Sequence, residues 1–432
     1  MTPATPDELA AILRDASERG QAVVPWGAGT LQHLGYPPHP EAIILHTAAL
    51  NRIVEYNPAD LTITVEAGAT LGAVQETLRP HGQWLPWDPP APGAATLGGL
   101  LAAGASGPLR LGYGAPRDWV LGMRVALGDG RLIKSGGKVV KNVAGYELHK
   151  LQIGALGTLG VIVEVTFKLS PLPERTGSLA LACARREEAA ALLERLRVQP
   201  LAPVSLALVG RAAGPLAAYL PGDPGRGLVV VRFAGVAAAV ERQLRAAFEA
   251  ATASGADIAA LDDEQSEAIW QQLAAFPAAS SSSVDSRADT TVADGAPLVS
   301  PRESAPTGEH LLIRAGAAAS ALPATLSALE RHAPPAEEPV QTVGYGGVGL
   351  AYARWPMPGA VEAGALASAL SSLRAALAEL GGYAVVEDAP PALRSQLDLW
   401  GPPPETLPLM RAIKAQWDPR GVLNPGRYVG GL

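Results

Sequence analysis

Two glycine-rich stretches contain the residues whose types and spacing could bind a ligand. The first is Pro25-Trp26-Gly27-Ala28-Gly29-Thr30, and the second runs from Thr96 to Val165 with glycines placed between short β-branched strands. Glycine lets the backbone pass close to a ligand and supplies N–H donors in turns with positive φ. Residues 25–30 are therefore interpreted as a loop whose successive N–H groups can form a nest for an anion such as a pyrophosphate.

The loop at 25–30 differs from the two best-known phosphate-binding motifs. No helical pattern follows it, although a Rossmann fingerprint requires a strand, a turn and a helix. It also lacks the Gly-Lys-Ser/Thr ending of a P-loop, which disfavours an NTPase. For the second stretch two interpretations stay open: a cradle for a cofactor, or a glycine-rich β domain with tight turns.

The order and separation of these motifs resemble the FAD-binding domain of the vanillyl-alcohol oxidase and p-cresol methylhydroxylase (PCMH-type) flavoprotein family. The resemblance extends to residues 417–427, Trp-Asp-Pro-Arg-Gly-Val-Leu-Asn-Pro-Gly-Arg, where the chain of family members returns to the flavin. Within the family, the likeness is greatest to the smaller flavin subunits of bacterial glycolate oxidases. The resemblance implies FAD as the cofactor and a small 2-hydroxy acid as the substrate.

The same resemblance assigns the FAD contacts to the loop, to a segment lining the flavin and to a closing strand. The implied cofactor-binding residues are Pro25, Trp26, Gly27, Ala28, Gly29, Thr30, Pro92, Gly93, Thr96, Leu97, Gly98, Gly99, Ala103, Gly104, Gly107, Gly157, Thr158, Gly160, Val161 and Ile162. Thr96 could cap a helix over 97–103 whose N-terminus would attract an anion or the flavin. The alternative is that its glycines only permit close helix packing.

Asn424 and Arg427 are the catalytic residues that the resemblance implies. The Asn424 amide would hydrogen-bond the flavin or an oxygen of a bound 2-hydroxy acid, and Arg427 would pair with a carboxylate. The alternative is a plain C-terminal anchor. Lys141, in a stretch similar to the family's lysine followed by Gly-Tyr-Asp-Leu, would orient a carboxylate or phosphate, or is an ordinary surface lysine.

Two family features are absent from the sequence. The larger catalytic flavin subunits have a Gly-Asp-Gly-Asn-x-His motif that binds a metal and the substrate, whereas the best counterpart here, residues 343–350, has no histidine. No metal is therefore expected. Members with covalent FAD often have histidine where this chain has Thr30, so non-covalent FAD is expected. The chain's histidines, His33 among them, are expected to be exposed or locally hydrogen-bonded.

The pattern of helices and strands that must position these residues predicts an α+β fold. A helix is expected to begin at Pro6, capped by Thr5, and to end at Gly20. After it, single helices alternate with groups of strands, and the Asp129-Gly130 pair predicts a hairpin.

The predicted organisation has three parts: a PCMH-type FAD-binding domain of two subdomains over 1–173, an α/β cap domain with an antiparallel sheet over 174–410, and a C-terminal segment over 411–432. Two related α/β halves are expected in the cap. Between them, residues 278–308 are rich in Ser, Asp, Ala and Pro, which predicts a flexible excursion, with a partner-docking loop as the alternative.

Composition excludes several classes of function. The 432 residues, 48% of them hydrophobic, supply enough apolar material for two cores. A net charge of -7 without a basic face argues against nucleic-acid partners. The single cysteine, Cys183, cannot ligate an iron–sulfur cluster alone. Neither a signal peptide nor an apolar run of about 20 residues is visible, which predicts a cytoplasmic protein, with peripheral membrane association only through partners.

The predicted function is that of the FAD-binding subunit of a glycolate oxidase complex, converting glycolate to glyoxylate and passing electrons from flavin to a partner. A sister FAD subunit and an iron–sulfur subunit are the implied partners. Two alternatives stay open: a self-sufficient FAD-dependent dehydrogenase of lactate or glycolate, and a non-catalytic assembly subunit.

Overall fold

The computed structural model describes residues 1–137, 145–210, 227–278, 310–357 and 362–432. Within them, a five-stranded sheet is built from residues 53–168 and an eight-stranded sheet from residues 175–388, with helices packed on both. The α+β prediction is therefore confirmed. Lys141 and, apart from Ala278, the predicted excursion lie outside the described residues.

The chain begins with an amphipathic helix whose two ends were predicted. Helix α1 (Pro6–Arg19) starts where the Thr5 hydroxyl accepts a hydrogen bond from the Glu8 N–H at 3.2 Å. It ends at Gly20, whose φ of 65° is left-handed and favours glycine. Both predicted ends are confirmed.

A short parallel ladder follows α1 and joins the two ends of the chain. Strand β1 (Val23–Trp26) pairs in parallel with β2 (Ile43–His46). On its other side, Val23 forms a parallel bridge with Leu423. The C-terminal segment is thereby fixed beside the loop that leaves β1.

The next region is a five-stranded antiparallel sheet in the order β3-β4-β8-β6-β7. Its elements are β3 (Ile53–Asn57), β4 (Thr62–Glu66), α2 (Leu71–Leu78), β5 (Gln83–Trp84), α3 (Leu97–Ala103), α4 (Arg110–Tyr113), β6 (Val120–Ala126), β7 (Leu132–Gly136), β8 (Val161–Lys168) and β9 (Ser170–Pro171). The predicted hairpin joins β6 to β7, with Gly130 at a φ of 80°. Helix α3 packs against β8, which brings the two ends of the second glycine-rich stretch together.

The remaining elements build an eight-stranded antiparallel sheet and its helices. They are β10 (Arg175–Cys183), α5 (Arg186–Val198), β11 (Ser205–Val209), β12 (Gly227–Gly235), α6 (Ala237–Thr252), β13 (Asp257–Leu261), α7 (Asp263–Ala275), β14 (His310–Gly316), α8 (Leu322–Arg331), β15 (Gln341–Tyr345), β16 (Leu350–Pro356), α9 (Ala363–Glu379), β17 (Tyr383–Asp388), α10 (Pro391–Arg394) and α11 (Leu407–Trp417).

The eight-stranded sheet consists of two halves with mirrored strand order. The first half has the order β13-β10-β12-β11 and the second β17-β14-β16-β15, and the halves join where β11 pairs with β15. Each half runs strand, helix, strand, strand, helix, strand along the chain. The predicted pair of related halves on one antiparallel sheet is confirmed.

Separate apolar cores lie against the two sheets. Val165 and Phe167 belong to the core of the five-stranded sheet, and Val229, Ile313 and Trp355 to the larger core of the eight-stranded sheet. The domain boundaries at 173 and 410 stay predictions. No helix in the described ranges has the length and apolar character needed to cross a membrane.

Candidate functional site

The loop after β1 presents a run of backbone N–H groups without protein partners. Within the described part of the chain, the N–H groups of residues 27–31 donate to no backbone or side-chain acceptor. A hydrogen bond closes the loop: Gln32 Nε2 donates to the Pro25 carbonyl at 3.0 Å. Consecutive free N–H groups on a curved backbone form an anion nest.

The loop packs directly on the beginning of α3. A Cβ on Gly27 would lie 2.1 Å from Thr96 Oγ1, so only glycine fits there. Thr96 Oγ1 in turn accepts the Gly99 N–H at 3.3 Å and caps α3. The two glycine-rich stretches therefore meet at Gly27 and Thr96.

We call the cleft over this loop the loop cavity. Among the residues predicted from sequence, those that line it are Pro25, Trp26, Gly27, Ala28, Gly29, Thr30, Thr96, Gly98, Gly99, Ala103, Gly157, Gly160, Val161, Ile162, Asn424 and Arg427. Sequence reasoning did not identify the other lining residues, which are Leu31, Gln32, Leu34, Thr47, Ala102 and Leu156. Segments from both ends of the chain thus surround one cavity.

Some predicted cofactor-binding residues have packing contacts instead. The Leu97 side chain is fully buried in the core of the five-stranded sheet. Gly107 lies against Asp88, whose backbone oxygen would be 2.0 Å from a Cβ at that position. Gly104 lines a second cavity, described below.

Pro92, Gly93 and Thr158 also lie away from the loop cavity. The Pro92 carbonyl accepts the Gly72 N–H at 3.1 Å, and Gly93 packs against Gly72. Thr158 is buried, and its hydroxyl donates to the Ala155 carbonyl at 2.7 Å. These hydrogen bonds and contacts join parts of the protein to one another. The predicted FAD contacts of the three residues stay predictions.

The first N–H groups of α3 are already used. Leu97 N–H donates to Ala69 O at 2.8 Å, Gly98 N–H to Ala67 O at 2.7 Å, and Gly99 N–H to the capping threonine. A Cβ on Gly98 would lie 2.8 Å from the Ala67 Cβ. The start of this helix therefore has no free N–H for an anion, and Gly98 has the close-packing role that was the alternative.

Asn424 fixes the turn at which the C-terminal segment meets the loop cavity. Its φ of 42° is left-handed, which is uncommon outside glycine. The turn is stabilised by its N–H, which donates to Val23 O at 2.9 Å, and by Nδ2, which donates to Leu156 O at 2.6 Å. Its Oδ1 is the atom left with only a long contact, 3.5 Å from the Arg427 guanidinium.

Arg427 is bonded to the segment that follows the nest. The guanidinium donates to Tyr36 O at 3.1 Å, to Gln32 Oε1 and O at 2.7 and 2.8 Å, and to Leu34 O at 3.0 Å. Burial and the charge of Arg394 lower the pKa of Arg427 to about 10, so it stays charged at neutral pH. Its contacts are those of an anchor for residues 32–36.

A second cavity of about 300 Å³ adjoins the loop cavity. The two share Leu31, Leu34, Ala103 and Leu156. We call the second one the interface cavity, because Gly104, Ser106 and Arg110 from the region of the five-stranded sheet line it together with residues of β14, β16 and β17.

The interface cavity contains one guanidinium without an acidic partner. Arg314 is paired with Glu387. Burial alone would lower the pKa of Arg314, but Glu387 together with Tyr383 and Tyr352 raises it. Arg110 has only the Ser106 hydroxyl as a described partner, at 3.5 Å. Burial raises the pKa of Tyr352, which keeps this phenol neutral. The described lining of the cavity therefore carries one excess positive charge, from Arg110.

His33 lines the interface cavity, which sequence reasoning did not anticipate. Its backbone carbonyl accepts a hydrogen bond from Arg394, but Nε2 has no partner among the described residues although the residue is only 9% exposed. Burial, followed by the charges of Arg394 and Arg427, lowers the pKa of His33 to about 4. The sequence signal that could have identified His33 is its position three residues beyond the anion nest.

Residues 343–350 form the end of β15, a turn and the first residue of β16. Val343 and Tyr345 belong to an apolar cluster, and Gly347 packs against Leu111. Among the described residues, no group of three or more His, Cys, Asp or Glu side chains is placed to hold a metal ion.

The loop cavity fits the pyrophosphate of a dinucleotide. Its donors are the free N–H groups of residues 27–31, and its described lining contains no aspartate or glutamate that would repel an anion. Gly27 lets the loop approach α3, because a Cβ there would lie 2.1 Å from Thr96 Oγ1. The adjoining interface cavity extends the same cleft toward the eight-stranded sheet.

Both ends of the chain match known protein families. Residues 1–136 match the FAD binding domain family, and residues 402–428 match the C-terminal domain of FAD linked oxidases. The chain is 42% identical over 158 residues to glycolate oxidase subunit GlcE of Escherichia coli, covering 35% of this chain and 43% of that protein. It is 29% identical over 439 residues to D-lactate dehydrogenase of Archaeoglobus fulgidus, covering 99% of this chain and 90% of that enzyme.

A further relative is glycolate oxidase subunit GlcD of Bacillus subtilis, 33% identical over 206 residues, which are 48% of this chain and 44% of that subunit. The chain thus spans less than half the length of the two glycolate oxidase subunits that it matches. Among solved structures, an alkyldihydroxyacetonephosphate synthase shares the fold, with a TM-score of 0.68 and 15% identity over 99% of this chain and 77% of the synthase. The chain therefore has an FAD binding domain at residues 1–136 and a C-terminal segment of FAD linked oxidases at residues 402–428, and FAD is its cofactor.

Proposed function

We propose that this chain uses non-covalently bound FAD to oxidise a small 2-hydroxy monocarboxylate, with glycolate as the first candidate. The likeness to glycolate oxidase subunits and to a D-lactate dehydrogenase supports this class of reaction. When bound, FAD supplies the two-electron redox chemistry. The residues of the chain bind FAD, orient the substrate and exclude water.

The observation that carries the proposal is the unpaired Arg110 guanidinium in a cavity that adjoins the nest. A guanidinium binds a carboxylate through parallel N–H donors. Because Arg314 is neutralised by Glu387, the cavity offers one excess positive charge, which suits a monocarboxylate better than a dicarboxylate. Leu350 and Trp400 line the same cavity and limit the access of water.

The proposal places the chain in a glycolate oxidase complex. A chain with Cys183 as its single cysteine cannot ligate an iron–sulfur cluster alone, so electrons must pass to another acceptor. We propose a sister FAD subunit and an iron–sulfur subunit as partners. A self-sufficient lactate or glycolate dehydrogenase is the second candidate, favoured by the similarity to a D-lactate dehydrogenase along nearly the whole chain.

Anaerobic reduction of the bound flavin tests the proposal. The FAD-loaded chain is mixed with glycolate, D-lactate or 2-hydroxyglutarate, alone and after co-purification with its partners, and the visible flavin absorbance is followed. Bleaching by the monocarboxylates in preference to 2-hydroxyglutarate is expected. Bleaching of the chain alone selects the self-sufficient enzyme, and bleaching only in the complex selects the subunit. A chain that binds no FAD, or whose FAD no 2-hydroxy acid reduces in either form, contradicts the proposal.

Substitution of Arg110 supplies a matched test. Arg110→Met should weaken binding of glycolate to the FAD-loaded chain at least tenfold, because a charge-assisted pair is lost. Arg117→Met, at an exposed arginine nearby in sequence, is the control and should bind glycolate like the wild type. Equal affinities in the two variants would refute the role of Arg110.

A further inference from the structure

We infer that His33 accepts a hydrogen bond from the hydroxyl of the bound 2-hydroxy acid in the interface cavity. This inference rests on the proposed function and adds to it the residue that distinguishes a hydroxy acid from a simple carboxylic acid.

The position of His33 is fixed by its backbone and leaves its ring available. Arg394 donates to the carbonyls of His33 and Gly35, and Arg427 donates to the carbonyl of Leu34 between them. The ring lines the cavity, and Nε2 is buried without a partner in the described part of the protein. Because a buried polar atom without a partner is costly, such an atom on a residue that lines a cavity points to a ligand or a water that completes it.

The surroundings of His33 favour the neutral ring. The charged groups closest to it are Arg394 and Arg427, both cationic, and both disfavour a second positive charge on the imidazole. A neutral imidazole has one ring nitrogen that accepts a hydrogen bond. At neutral pH His33 is therefore suited to a hydroxyl donor and not to a carboxylate.

The cavity then offers separate partners for the two functional groups of a 2-hydroxy acid. Arg110 provides the positive charge for the carboxylate, and His33 provides the acceptor for the hydroxyl. An acceptor facing the hydroxyl would favour hydroxy acids over the corresponding acids that lack it, because the unhydroxylated ligand leaves Nε2 unpaired. The segment over 343–350 contains no histidine that could supply this contact.

A pair of ligands that cannot be oxidised isolates the hydroxyl contact from turnover. 2-Hydroxyisobutyrate has no hydrogen on its carbinol carbon, and isobutyrate differs from it only by the hydroxyl. Dissociation constants for both are measured on the FAD-loaded chain from flavin difference spectra or by calorimetry. The wild type should bind the hydroxy acid about tenfold more tightly than isobutyrate.

His33 variants decide whether this preference comes from the imidazole. His33→Phe should reduce the tenfold preference for 2-hydroxyisobutyrate to about onefold, while the affinity for isobutyrate changes little. His33→Gln retains an acceptor near the position of Nε2 and should keep a preference for the hydroxy acid. His39→Phe, at an exposed histidine of the same segment, is the matched control and should keep the wild-type ratio. If His33→Phe does not fold, His33→Leu, which also lacks an acceptor, carries the test against His33→Gln and the wild type.

The outcomes separate this inference from the proposed function. A wild-type preference near onefold, or a tenfold preference that survives in His33→Phe, overturns the role of His33 even if glycolate still bleaches the flavin. A loss of the preference in His33→Phe with the control intact supports it. A wild-type chain whose FAD no 2-hydroxy acid reduces, in isolation or in the complex, would instead reject the proposed function.

Discussion

Arg427 acts at the scale of one side chain by bonding a segment of backbone next to the nest. Its guanidinium donates to carbonyls of Gln32, Leu34 and Tyr36 and to the Gln32 side chain. A substrate carboxylate could pair with it only if some of these bonds broke. The structure therefore favours the C-terminal anchor, which sequence reasoning held as the alternative to a catalytic arginine.

An Arg427→Lys substitution separates the two roles. Lysine keeps the charge but cannot reproduce the planar set of donors, so residues 32–36 should loosen. We expect FAD to bind at least tenfold more weakly, while glycolate binding to the FAD-loaded fraction weakens much less, because Arg394 still bonds the carbonyls of His33 and Gly35. Fluorescence titration of FAD and flavin difference spectra with glycolate measure the two quantities. Unchanged FAD affinity with weakened glycolate binding would restore the catalytic role.

Asp88 makes stability depend on pH. Its Oδ2 accepts the Leu109 N–H at 2.9 Å, but Oδ1 is buried without a described partner. Burial raises the pKa of Asp88 from its ordinary 3.8 to about 7. The folded protein therefore holds this proton more tightly than the unfolded chain, and the contribution of Asp88 to stability falls as pH rises from about 4 to about 7.

Asp88→Asn should remove this pH dependence. The amide keeps an acceptor for Leu109 and carries no charge, so the variant should be more stable than the wild type at pH 8, by on the order of 1–3 kcal/mol, and similar to it at pH 4. Urea unfolding at several pH values measures the difference. Asp60→Asn, at an exposed turn, is the control. A wild-type pH profile in Asp88→Asn would contradict the assignment.

At the residue scale, the sequence allowed prediction of the contacts that depend on local backbone. The nest at 25–30 was identified because glycine spacing and N–H chemistry are properties of one short segment. Arg314 and Glu387 were not identified, because their pairing depends on β14 and β17 lying side by side. His33 was expected to be exposed or locally hydrogen-bonded, and the absence of a described partner for its buried Nε2 became visible only in three dimensions.

At the element scale, a buried ion pair ties the end of α11 to the FAD-binding region. Lys414 Nζ donates to Asp418 Oδ2 at 2.6 Å and to the carbonyls of Thr158 and Leu423 at 2.8 Å each. Asp418 also accepts the N–H groups of Val422 and Leu423 at 3.0 and 2.8 Å. The segment that carries Asn424 is thereby held beside β1.

Lys414→Met should release this segment. Removal of the ammonium leaves the buried Asp418 carboxylate without a counter-charge and two carbonyls without their donor, which should lower the free energy of unfolding by about 3 kcal/mol and weaken FAD binding. Chemical unfolding and FAD titration measure both effects. Adding Asp418→Asn should recover part of the loss, because the uncompensated charge is gone. Arg411→Met, on an exposed side of the same helix, is the control, and an equal loss there would refute the explanation.

The elements with strong local signals were those that the sequence predicted well. Helix α1 and the hairpin of β6 and β7 were predicted, because a threonine cap, a terminal glycine and an Asp-Gly pair mark them. The edge strand β13 was not predicted, because its Asp-Ile-Ala-Ala-Leu sequence has little β-branched character and is only partly buried. Helix α7 was not predicted either, although Asp262 caps it by accepting the Gln265 N–H at 2.8 Å.

At the scale of the whole molecule, the site depends on contacts between distant parts of the chain. The loop cavity combines residues 25–34, 96–103, 156–162 and 424–427. Motif resemblance predicted that these segments meet, but it could not predict the interface cavity, whose lining also requires β14, β16 and β17. Charge balance in that cavity follows from the assembled fold and not from any one segment.

The mirrored strand order of the eight-stranded sheet has an evolutionary consequence. Two copies of one strand–helix–strand–strand–helix–strand unit are the expected product of an internal duplication. Arg314, Tyr352 and Glu387 belong to the second copy, and no described residue of the first copy, 175–261, lines either cavity. Ligand chemistry in these two cavities therefore draws on one copy, while its twin contributes no described residue to their walls.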